Sequence, residues 1–382
     1  MSDGRTVVFY DKENKLDRAA KLFPGAERRF SPDAPKESEL RSLSECTVVF
    51  MLENGKLRDA AENCRLLQNA DVFVVPSGIG YTPDPIKIDC SKTRLNYVET
   101  EISRVCNLNC RGCCDFINLK VKEEPFYDFE LFCRDISRLK ELFWGIAQIR
   151  IMGGEPFLNP RVADYVEKAR ALFPDSDLRV VTNGLLLTKT PEETLKRIAA
   201  ASCSLDISAY PPTWKQKKDI SRLLDSLGVK YSFSVPMVVF FKNVLEKPVD
   251  DPAPAHRNCI FSHCHMLGNG RITPCSFAFC IYRFNRHFGT SYPETDFVDI
   301  HDPSADGRRI YERLSTPHEF CKYCGAGMTP ILWKGRNAPA DARREDWLIA
   351  DTFLNTKVAP AIQGAARKSA VALRSKIRDK QD

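Results

Sequence analysis

The stretch 106–114 reads CNLNCRGCC and places Cys106, Cys110 and Cys113 at the spacing C-x3-C-x2-C. Because this loop is so short, it can direct all its sulfurs to one point, which is the arrangement of a metal site. A closed structural site uses about four protein ligands, so a group of three leaves a coordination position open for chemistry. The loop therefore predicts a metal centre with an open position.

Two simpler interpretations of the loop stay open at this point. A zinc knuckle is one of them, although such a site normally pairs one C-x2-C with a second, and no second pair lies nearby. Chance crowding is the other, in a chain with 15 cysteines. Cys114 also permits the spacing C-x3-C-x3-C. The motifs that follow in the sequence decide between these interpretations.

The composition excludes several classes of protein. The chain has 382 residues, of which 43% are hydrophobic and 28% charged, so it can bury a large core in two or three domains. A net charge of +6 is too small for this length to predict nucleic-acid binding. The N-terminus lacks the pattern of a signal peptide, and no apolar run approaches the ~18 residues of a membrane span. We therefore expect a cytoplasmic protein whose clustered cysteines bind metal rather than form disulfides.

Residues 1–92 predict a small α/β module. Apolar, β-rich runs alternate with helical stretches, which favours a small parallel sheet. The runs are 6–10, 46–51 and 71–75, and the helical stretches are 15–22 and 56–68. Gly78 and Gly80 follow the third run, but Pro83 stands where the third glycine of a dinucleotide fingerprint belongs. A structural or partner-binding role is therefore the expectation for this module.

A longer series of strands and helices follows a predicted linker at residues 82–94. The predicted strands are 97–103, 148–153, 178–183, 202–208 and 230–235, and the predicted helices are 128–143, 161–172, 191–200 and 213–227. This alternation predicts a parallel sheet or an open barrel over residues 93–250, with chemistry at the carboxyl ends of the strands. The cysteine loop comes just after the first of these strands, where an active-site loop is expected.

Three further motifs end predicted strands. IMGGEP (151–156) has glycines at 153 and 154 that allow close backbone approach to a ligand, and the carboxylate of Glu155 could hold an ammonium group. VVTNG (180–184) offers the polar side chain of Asn183. SLDISAYPP (204–212) offers Ser208, with Ser204 and Asp206 as alternates. Each motif alone is also typical of an ordinary turn.

Together, the cysteine loop and these motifs resemble the radical S-adenosylmethionine (radical SAM) enzymes over about residues 96–240. The resemblance implies a partial (β/α)6 barrel in which Cys106, Cys110 and Cys113 hold three irons of a [4Fe–4S] cluster. It also implies that S-adenosylmethionine chelates the fourth iron, with contacts from Gly153, Gly154, Glu155, Asn183 and Ser208. An electron donor such as flavodoxin or ferredoxin would drive reductive cleavage to a 5′-deoxyadenosyl radical, which abstracts hydrogen from a substrate. One departure is Gly112, where the family often has an aromatic residue near adenine; Phe116 is the nearest replacement.

Residues 251–335 form a cysteine-rich region that resembles the auxiliary-cluster extension called a SPASM or twitch domain. Its pattern is C-x10-G-x4-C followed by C-x2-C, which predicts a second iron–sulfur cluster held by Cys264, Cys275, Cys321 and Cys324, with Cys259 as the alternate first ligand. A four-cysteine zinc site fits the same spacing, and the absence of metal stays open too. Histidines 263 and 265 are expected outside the ligand set. The cysteines at 46, 64, 90, 133 and 203 are expected to be structural.

The substrate is the least determined part of the prediction. The stretches LNYVETEISRVCNLNCRGCC and CHMLGNGRITPC also resemble radical enzymes found with carbohydrate-assembly genes, which favours a sugar or nucleotide sugar. A peptide substrate is the enzymatic alternative, and a non-catalytic iron–sulfur or zinc protein that binds partners is the alternative from another class. Residues 336–382 predict a helical tail with a basic amphipathic stretch, which we expect to be solvated.

Overall fold

The computed structural model describes residues 6–10, 25, 27–30, 47–53, 71–77, 86–89, 91–119, 121–259, 261–335 and 342–349. Several predicted features lie outside these residues: the helices 15–22 and 56–68, the Gly78–Gly80–Pro83 segment, Cys46, Cys64, Cys90 and the C-terminal amphipathic helix. No helix in the described part of the chain is long and apolar enough to cross a membrane.

The N-terminal strands form a five-stranded sheet in the order β2-β1-β3-β4-β5. Its strands are β1 (Thr6–Tyr10), β2 (Glu27–Phe30), β3 (Thr47–Glu53), β4 (Asp71–Ser77) and β5 (Ile86–Ile88). The first four are parallel: β1, β3 and β4 match the predicted runs, whereas β2 was not predicted. β5 pairs antiparallel with β4. The linker prediction was therefore wrong for residues 86–88, because this short apolar run closes the edge of the sheet and buries Ile88.

The central sheet has eight strands in the order β10-β9-β8-β7-β6-β12-β13-β14. Its strands are β6 (Thr93–Ser103), β7 (Phe143–Gly153), β8 (Asp177–Thr182), β9 (Ser204–Ile207), β10 (Tyr231–Phe233), β12 (Met266–Gly268), β13 (Arg271–Thr273) and β14 (Val298–Asp299). β6 to β10 run parallel in chain order, and β12 adds a parallel strand beside β6. The α/β fold with an open parallel core is confirmed.

Seven α-helices are present among the described residues. They are α1 (Phe129–Leu142), α2 (Val162–Leu172), α3 (Glu192–Ala200) and α4 (Pro211–Ser226), followed by α5 (Ala253–Asn258), α6 (Ser276–Phe288) and α7 (Gly307–Leu314). In α1 the Asp128 side chain caps the helix by accepting from the Leu131 N–H at 2.9 Å. Phe132, Ile136 and Leu139 recur at helical spacing, and all three are fully buried against the sheet. The predicted core helices are thus present within two residues of their expected ends.

A third sheet lies beside the carboxyl ends of the core strands, in the order β15-β11-β16. It is formed by β11 (Val239–Leu245), β15 (Cys324–Leu332) and β16 (Leu348–Ile349). β11 belongs to the predicted core region and β15 to the cysteine-rich region, so this sheet crosses the expected boundary at residue 250. The central sheet crosses it as well, through β12. The two regions therefore share their hydrogen-bonded framework.

Candidate functional site

A cavity of about 840 Å³ opens at the carboxyl ends of β6 to β9. Its wall brings together the residues that the sequence analysis predicted for cluster and cofactor, except Glu155: Cys106, Cys110, Cys113, Gly153, Gly154, Asn183 and Ser208. Each group follows or ends a different parallel strand, and parallel strands present their carboxyl ends at one edge of a sheet. The volume lies in the range of about 300–1,000 Å³ that is usual for small-molecule sites.

The three thiols of the loop are largely withdrawn from solvent. Burial raises the pKa of Cys106 and raises that of Cys110 to about 12, and the pKa of Cys113 is held well above its ordinary value for the same reason. These side chains are therefore protonated thiols at neutral pH when nothing is bound. Metal binding must displace their protons, so the affinity for metal rises with pH.

Both glycines of the GGEP turn press against the beginning of the cysteine loop. The Gly154 N–H donates to the Ser103 carbonyl at 2.7 Å, and the Glu155 N–H donates to the Val105 carbonyl at 2.9 Å. A Cβ on Gly153 would lie 2.3 Å from the Ser103 oxygen, and one on Gly154 would lie 2.2 Å from the Val105 oxygen. Gly153 and Gly154 were expected to let the backbone approach a ligand closely. In the structure they line the cavity and also pack closely against Ser103 and Val105 at the start of the cysteine loop.

The Glu155 side chain has a different position from the one expected. Its carboxylate is fully buried behind the cavity wall, where it accepts from the Thr182 hydroxyl at 2.7 Å, the Asn183 N–H at 2.9 Å and the Phe157 N–H at 3.1 Å. Burial raises the pKa of Glu155 to about 7, against these donors, which favour the charged form. In this structure Glu155 fixes the strand ends around the cavity, and its carboxylate is not exposed to an ammonium group.

Asn183 joins the end of β8 to the cysteine loop. Its side-chain amide donates to Oδ1 of Asn107 at 2.7 Å and lies 3.8 Å from Sγ of Cys106. Its own Oδ1 accepts from the Leu185 N–H at 3.0 Å, which fixes the orientation of the amide. Asn183 thus lines the cavity and also holds the first cysteine of the loop.

Only one of the three polar candidates around β9 lines the cavity. Ser208 does, and its backbone N–H donates to the Thr182 carbonyl at 2.9 Å. Asp206 is engaged inside the barrel instead, with Arg150 at 2.8 Å and Arg179 at 3.1 Å. Ser204, at the start of the strand, lies away from the cavity wall. The structure therefore favours Ser208 over both alternates.

The aromatic part of the cavity comes from residues that the sequence analysis did not identify. Phe116 is fully buried in an aromatic cluster with Phe277 and Phe284, so the expectation that it replaces the missing aromatic residue was wrong. Tyr210, Phe240 and Trp333 line the cavity instead. These three lie in separate parts of the chain, and no local pattern marks them as neighbours of the loop.

The C-terminal segment after β15 holds the cysteine loop from the outside. The Arg111 N–H donates to the Lys334 carbonyl at 2.8 Å, and the Arg111 side chain pairs with Asp346 at 2.6 Å. Gly112 has φ +66°, and a Cβ there would lie 2.6 Å from Cδ1 of Ile331 and 3.0 Å from the Asp346 carbonyl. Gly112 is therefore explained by this contact, because a larger residue would collide with the segment.

The second group of cysteines gathers around His318. The His318 ring lies 3.3 Å from Sγ of Cys321 and 3.8 Å from Sγ of Cys275. Cys259 and Cys324 both interact electrostatically with Cys321, and each also interacts with Cys275. Burial lowers the pKa of His318 to about 4, so the ring is neutral. The sequence analysis missed His318, although this residue precedes Cys321 by only three positions, in HEFCKYC.

Cys264 has a different electrostatic environment. Its electrostatic neighbours include Glu99, Arg150 and Asp115, together with Cys259. Neither Cys275, Cys321 nor Cys324 has Cys264 among its main electrostatic neighbours, whereas all three have Cys259. The structure thus favours the alternate ligand Cys259 over Cys264 for a site that includes the other three cysteines.

The arrangement of the loop thiols suits an iron–sulfur cluster. Among the residues that the structure describes, no group of three or more His, Cys, Asp or Glu side chains is gathered closely enough to hold one metal ion. A [4Fe–4S] cluster does not require its thiolates to meet at one metal ion, because each thiolate binds a separate iron. The three loop thiols line one roomy cavity, which suits such a cluster and leaves space for a cofactor.

Comparisons with known proteins identify the superfamily. A family model described as "Radical SAM superfamily" matches residues 100–237. The GTP 3′,8-cyclase of Lactiplantibacillus plantarum is 30% identical over 264 residues, covering 67% of this chain and 70% of that protein. The GTP 3′,8-cyclase of Crocosphaera subtropica is 29% identical over 167 residues, covering 41% of this chain and 48% of that protein. The chain belongs to the radical SAM superfamily of enzymes, and it spans about half the length of the Crocosphaera relative.

Two solved structures are also similar. BtrN in complex with AdoMet and 2-DOIA is 17% identical with a TM-score of 0.40, covering 61% of this chain and 94% of that one. Native anSMEcpe with bound AdoMet is 20% identical with a TM-score of 0.30, covering 36% of this chain and 43% of that one.

Proposed function

We propose that this chain binds a [4Fe–4S] cluster through Cys106, Cys110 and Cys113 and uses it with S-adenosylmethionine to abstract hydrogen from a substrate. The observation that carries the proposal is the single cavity onto which these thiols, the GGEP glycines, Asn183 and Ser208 all open. When bound, the cluster supplies the electron that cleaves S-adenosylmethionine to methionine and a 5′-deoxyadenosyl radical.

The protein residues position the cofactor and exclude water. Backbone groups of Gly153 and Gly154 form the wall where the methionine moiety would lie, and Asn183 and Ser208 supply polar contacts on the neighbouring strand ends. Tyr210 and Trp333 provide ring faces for an adenine. Glu155 acts behind them, by holding the end of β8. A flavodoxin or a ferredoxin is the proposed electron donor.

The direct test is formation of 5′-deoxyadenosine by the anaerobically reconstituted and reduced protein. Wild type should produce it and bind iron and sulfide, whereas Cys110→Ala should lose the product and the share of iron and sulfide that belongs to the loop cluster, because that cluster loses a ligand. Cys114→Ala is the matched control, one thiol further along the same loop, and it should retain both. Equal product from Cys110→Ala, or no product from wild type, would contradict the enzymatic proposal and favour a non-catalytic metal protein.

For the substrate we propose a sugar or a nucleotide sugar. The cavity has the size of a small-molecule site, and hydrogen-bonding side chains such as Asn107, Asn118 and Arg104 line it. The curated relatives are named for GTP, a nucleotide that contains a sugar. Candidate nucleotide sugars, free sugars and GTP, each deuterated on the sugar, should be compared with deuterated peptides. Deuterium in 5′-deoxyadenosine from a sugar substrate supports the proposal, and transfer from peptides alone supports the alternative.

We also propose a second iron–sulfur cluster at Cys259, Cys275, Cys321 and Cys324. The shared electrostatic contacts of these thiols support that set. A variant with Cys106, Cys110 and Cys113 all changed to alanine isolates this site. Iron and acid-labile sulfide remaining on that variant would support a cluster. Zinc in place of iron would show a structural zinc site, and loss of all metal would show that the site is empty.

A further inference from the structure

The indole Nε1 of Trp333 lies 3.1 Å from Sγ of Cys110 and donates its hydrogen to that sulfur. Trp333 stands immediately after β15, far from the cysteine loop in the sequence. Among the described residues, it supplies the one tryptophan N–H directed at a sulfur of the loop. This hydrogen bond joins a side chain to a sulfur, whereas the neighbouring contacts between the two segments join backbone groups.

Trp333 is held in place on several sides. Its backbone N–H donates to the Val238 carbonyl at 2.9 Å, and its ring stacks on Tyr210 with centroids 5.5 Å apart and planes inclined by 27°. Cys110 itself forms an antiparallel bridge with Gly335. Because donor and acceptor lie on two paired segments, the indole hydrogen bond is preorganised before any metal binds.

We propose that Trp333 tunes the reduction potential of the loop cluster through this hydrogen bond to the Cys110 sulfur. The proposal rests on the proposed function, because it requires Cys110 to ligate a cluster. Hydrogen bonds to cluster sulfurs are among the features that set the potential of iron–sulfur centres. The donor stabilises the reduced form more than the oxidised form, because the reduced form carries more negative charge on its sulfurs. Trp333 thereby raises the potential and eases electron acceptance from a mild donor.

The chain offers two matched controls for this role. Trp347 also donates its indole N–H to the loop, but to the Cys113 carbonyl at 2.8 Å rather than to a sulfur. Trp214 is 46% exposed and lies on α4, outside the cavity wall. A phenylalanine at any of these positions retains a ring and removes the N–H. Only the change at Trp333 removes a donor from a sulfur.

The experiment is a redox titration of the anaerobically reconstituted holoprotein, followed by the electron paramagnetic resonance signal of the reduced cluster. Trp333→Phe should lower the equilibrium constant for one-electron reduction three- to tenfold, which corresponds to about 30–60 mV. Trp214→Phe and Trp347→Phe should titrate like wild type. An unchanged potential in Trp333→Phe, with iron content and signal intact, would overturn the proposal. A wild-type protein without a [4Fe–4S] signal would instead contradict the proposed function.

A second measurement covers the case in which Trp333→Phe does not assemble a cluster. Wild-type protein and Trp347→Phe, both grown with indole-¹⁵N tryptophan, are examined by pulsed electron paramagnetic resonance in the reduced state. A ¹⁵N coupling that persists in Trp347→Phe supports the hydrogen bond from Trp333. No ¹⁵N coupling in either protein, with the cluster signal present, overturns it.

Discussion

The backbone N–H of Asn183 donates to Oε2 of Glu155 at 2.9 Å, and this bond ties the end of β8 to the turn after β7. The other carboxylate oxygen accepts from Thr182, so both oxygens are used within the protein. Two motifs that would each be ordinary turns are thereby joined into one wall of the cavity. The buried carboxylate makes this wall sensitive to proton binding.

We expect Glu155→Gln to change the pH dependence of stability. Its pKa rises from the ordinary 4.5 to about 7 on folding, so the folded protein holds this proton more tightly than the unfolded chain. The stabilisation from the proton is complete below about pH 4.5 and is lost as the pH rises through 7, a change of about 3 kcal/mol. Glutamine does not titrate, so denaturant unfolding of the metal-free variant should lack this decline.

The control for that measurement is Glu141→Gln, because the Glu141 side chain is 64% exposed. Glu141→Gln should therefore follow the pH dependence of wild type. The unfolding free energy of wild type minus that of Glu155→Gln should rise by about 3 kcal/mol as the pH falls from 7 to 4.5. Equal slopes for wild type and Glu155→Gln would contradict the raised pKa.

Gly154→Ala should destabilise the protein by at least about 3 kcal/mol and abolish cluster assembly. The new Cβ would collide with the Val105 carbonyl, whose backbone atoms cannot move aside as the end of a flexible side chain could. Gly228→Ala is the control, since Gly228 has φ +66° with nothing within 4 Å and should cost only about 1–2 kcal/mol of backbone strain. Thermal unfolding and iron content measure both effects. Similar losses in the two variants would show that the close approach is not the cause.

Ser208→Ala should weaken binding of S-adenosylmethionine about three- to tenfold, the effect of losing one hydrogen bond. Ser204→Ala should bind normally, because this serine lies on the same strand but away from the cavity. Calorimetric titration of the reconstituted variants gives the two affinities. Weaker binding by Ser204→Ala instead would show that the cofactor contact is made at the start of β9.

Arg283→Met should destabilise the fold by about 3–5 kcal/mol. Arg283 is completely buried on α6, where it contacts Glu101 at 2.7 Å and Glu123 at 2.7 Å. Its removal leaves the buried Glu101 carboxylate with only the more distant cation of Arg104, at 3.7 Å. Arg286→Met on the same helix is the control, because Arg286 is exposed and stacks on Tyr282. Denaturant unfolding should show less than about 1 kcal/mol for that change. Equal effects would mean that the buried ion pairs do not join α6 to the core.

Cys259→Ala should lose the metal of the second site, whereas Cys264→Ala should retain it. The two cysteines are close in sequence and were alternatives for one ligand position, but only Cys259 interacts with all three other thiols. Metal content per chain in the background lacking the loop cysteines distinguishes them. Loss of metal in Cys264→Ala alone would restore the ligand set expected from spacing.

The sequence by itself determined the central architecture and the location of the site. Strand alternation and helical periodicity are visible within short windows, so β8, β9 and α1 to α4 could be predicted within two residues of their observed bounds, whereas β6 and β7 begin four and five residues before their predicted starts. The cysteine loop, GGEP, Asn183 and Ser208 each follow or end a strand. Because parallel strands end at one edge, local patterns were enough to bring these residues to one cavity.

Tertiary structure alone decided which side chains face that cavity and what supports it. The carboxylate of Glu155 turns inward, Phe116 joins the aromatic core, and Trp333 reaches Cys110 across 223 positions of sequence. Cys259 and Cys264 were alternatives for one ligand position, and the fold makes only Cys259 an electrostatic neighbour of Cys275, Cys321 and Cys324. These outcomes depend on packing between segments that are distant in sequence. Contacts of that kind leave no periodic pattern within a short stretch of sequence, so they could not be predicted from it.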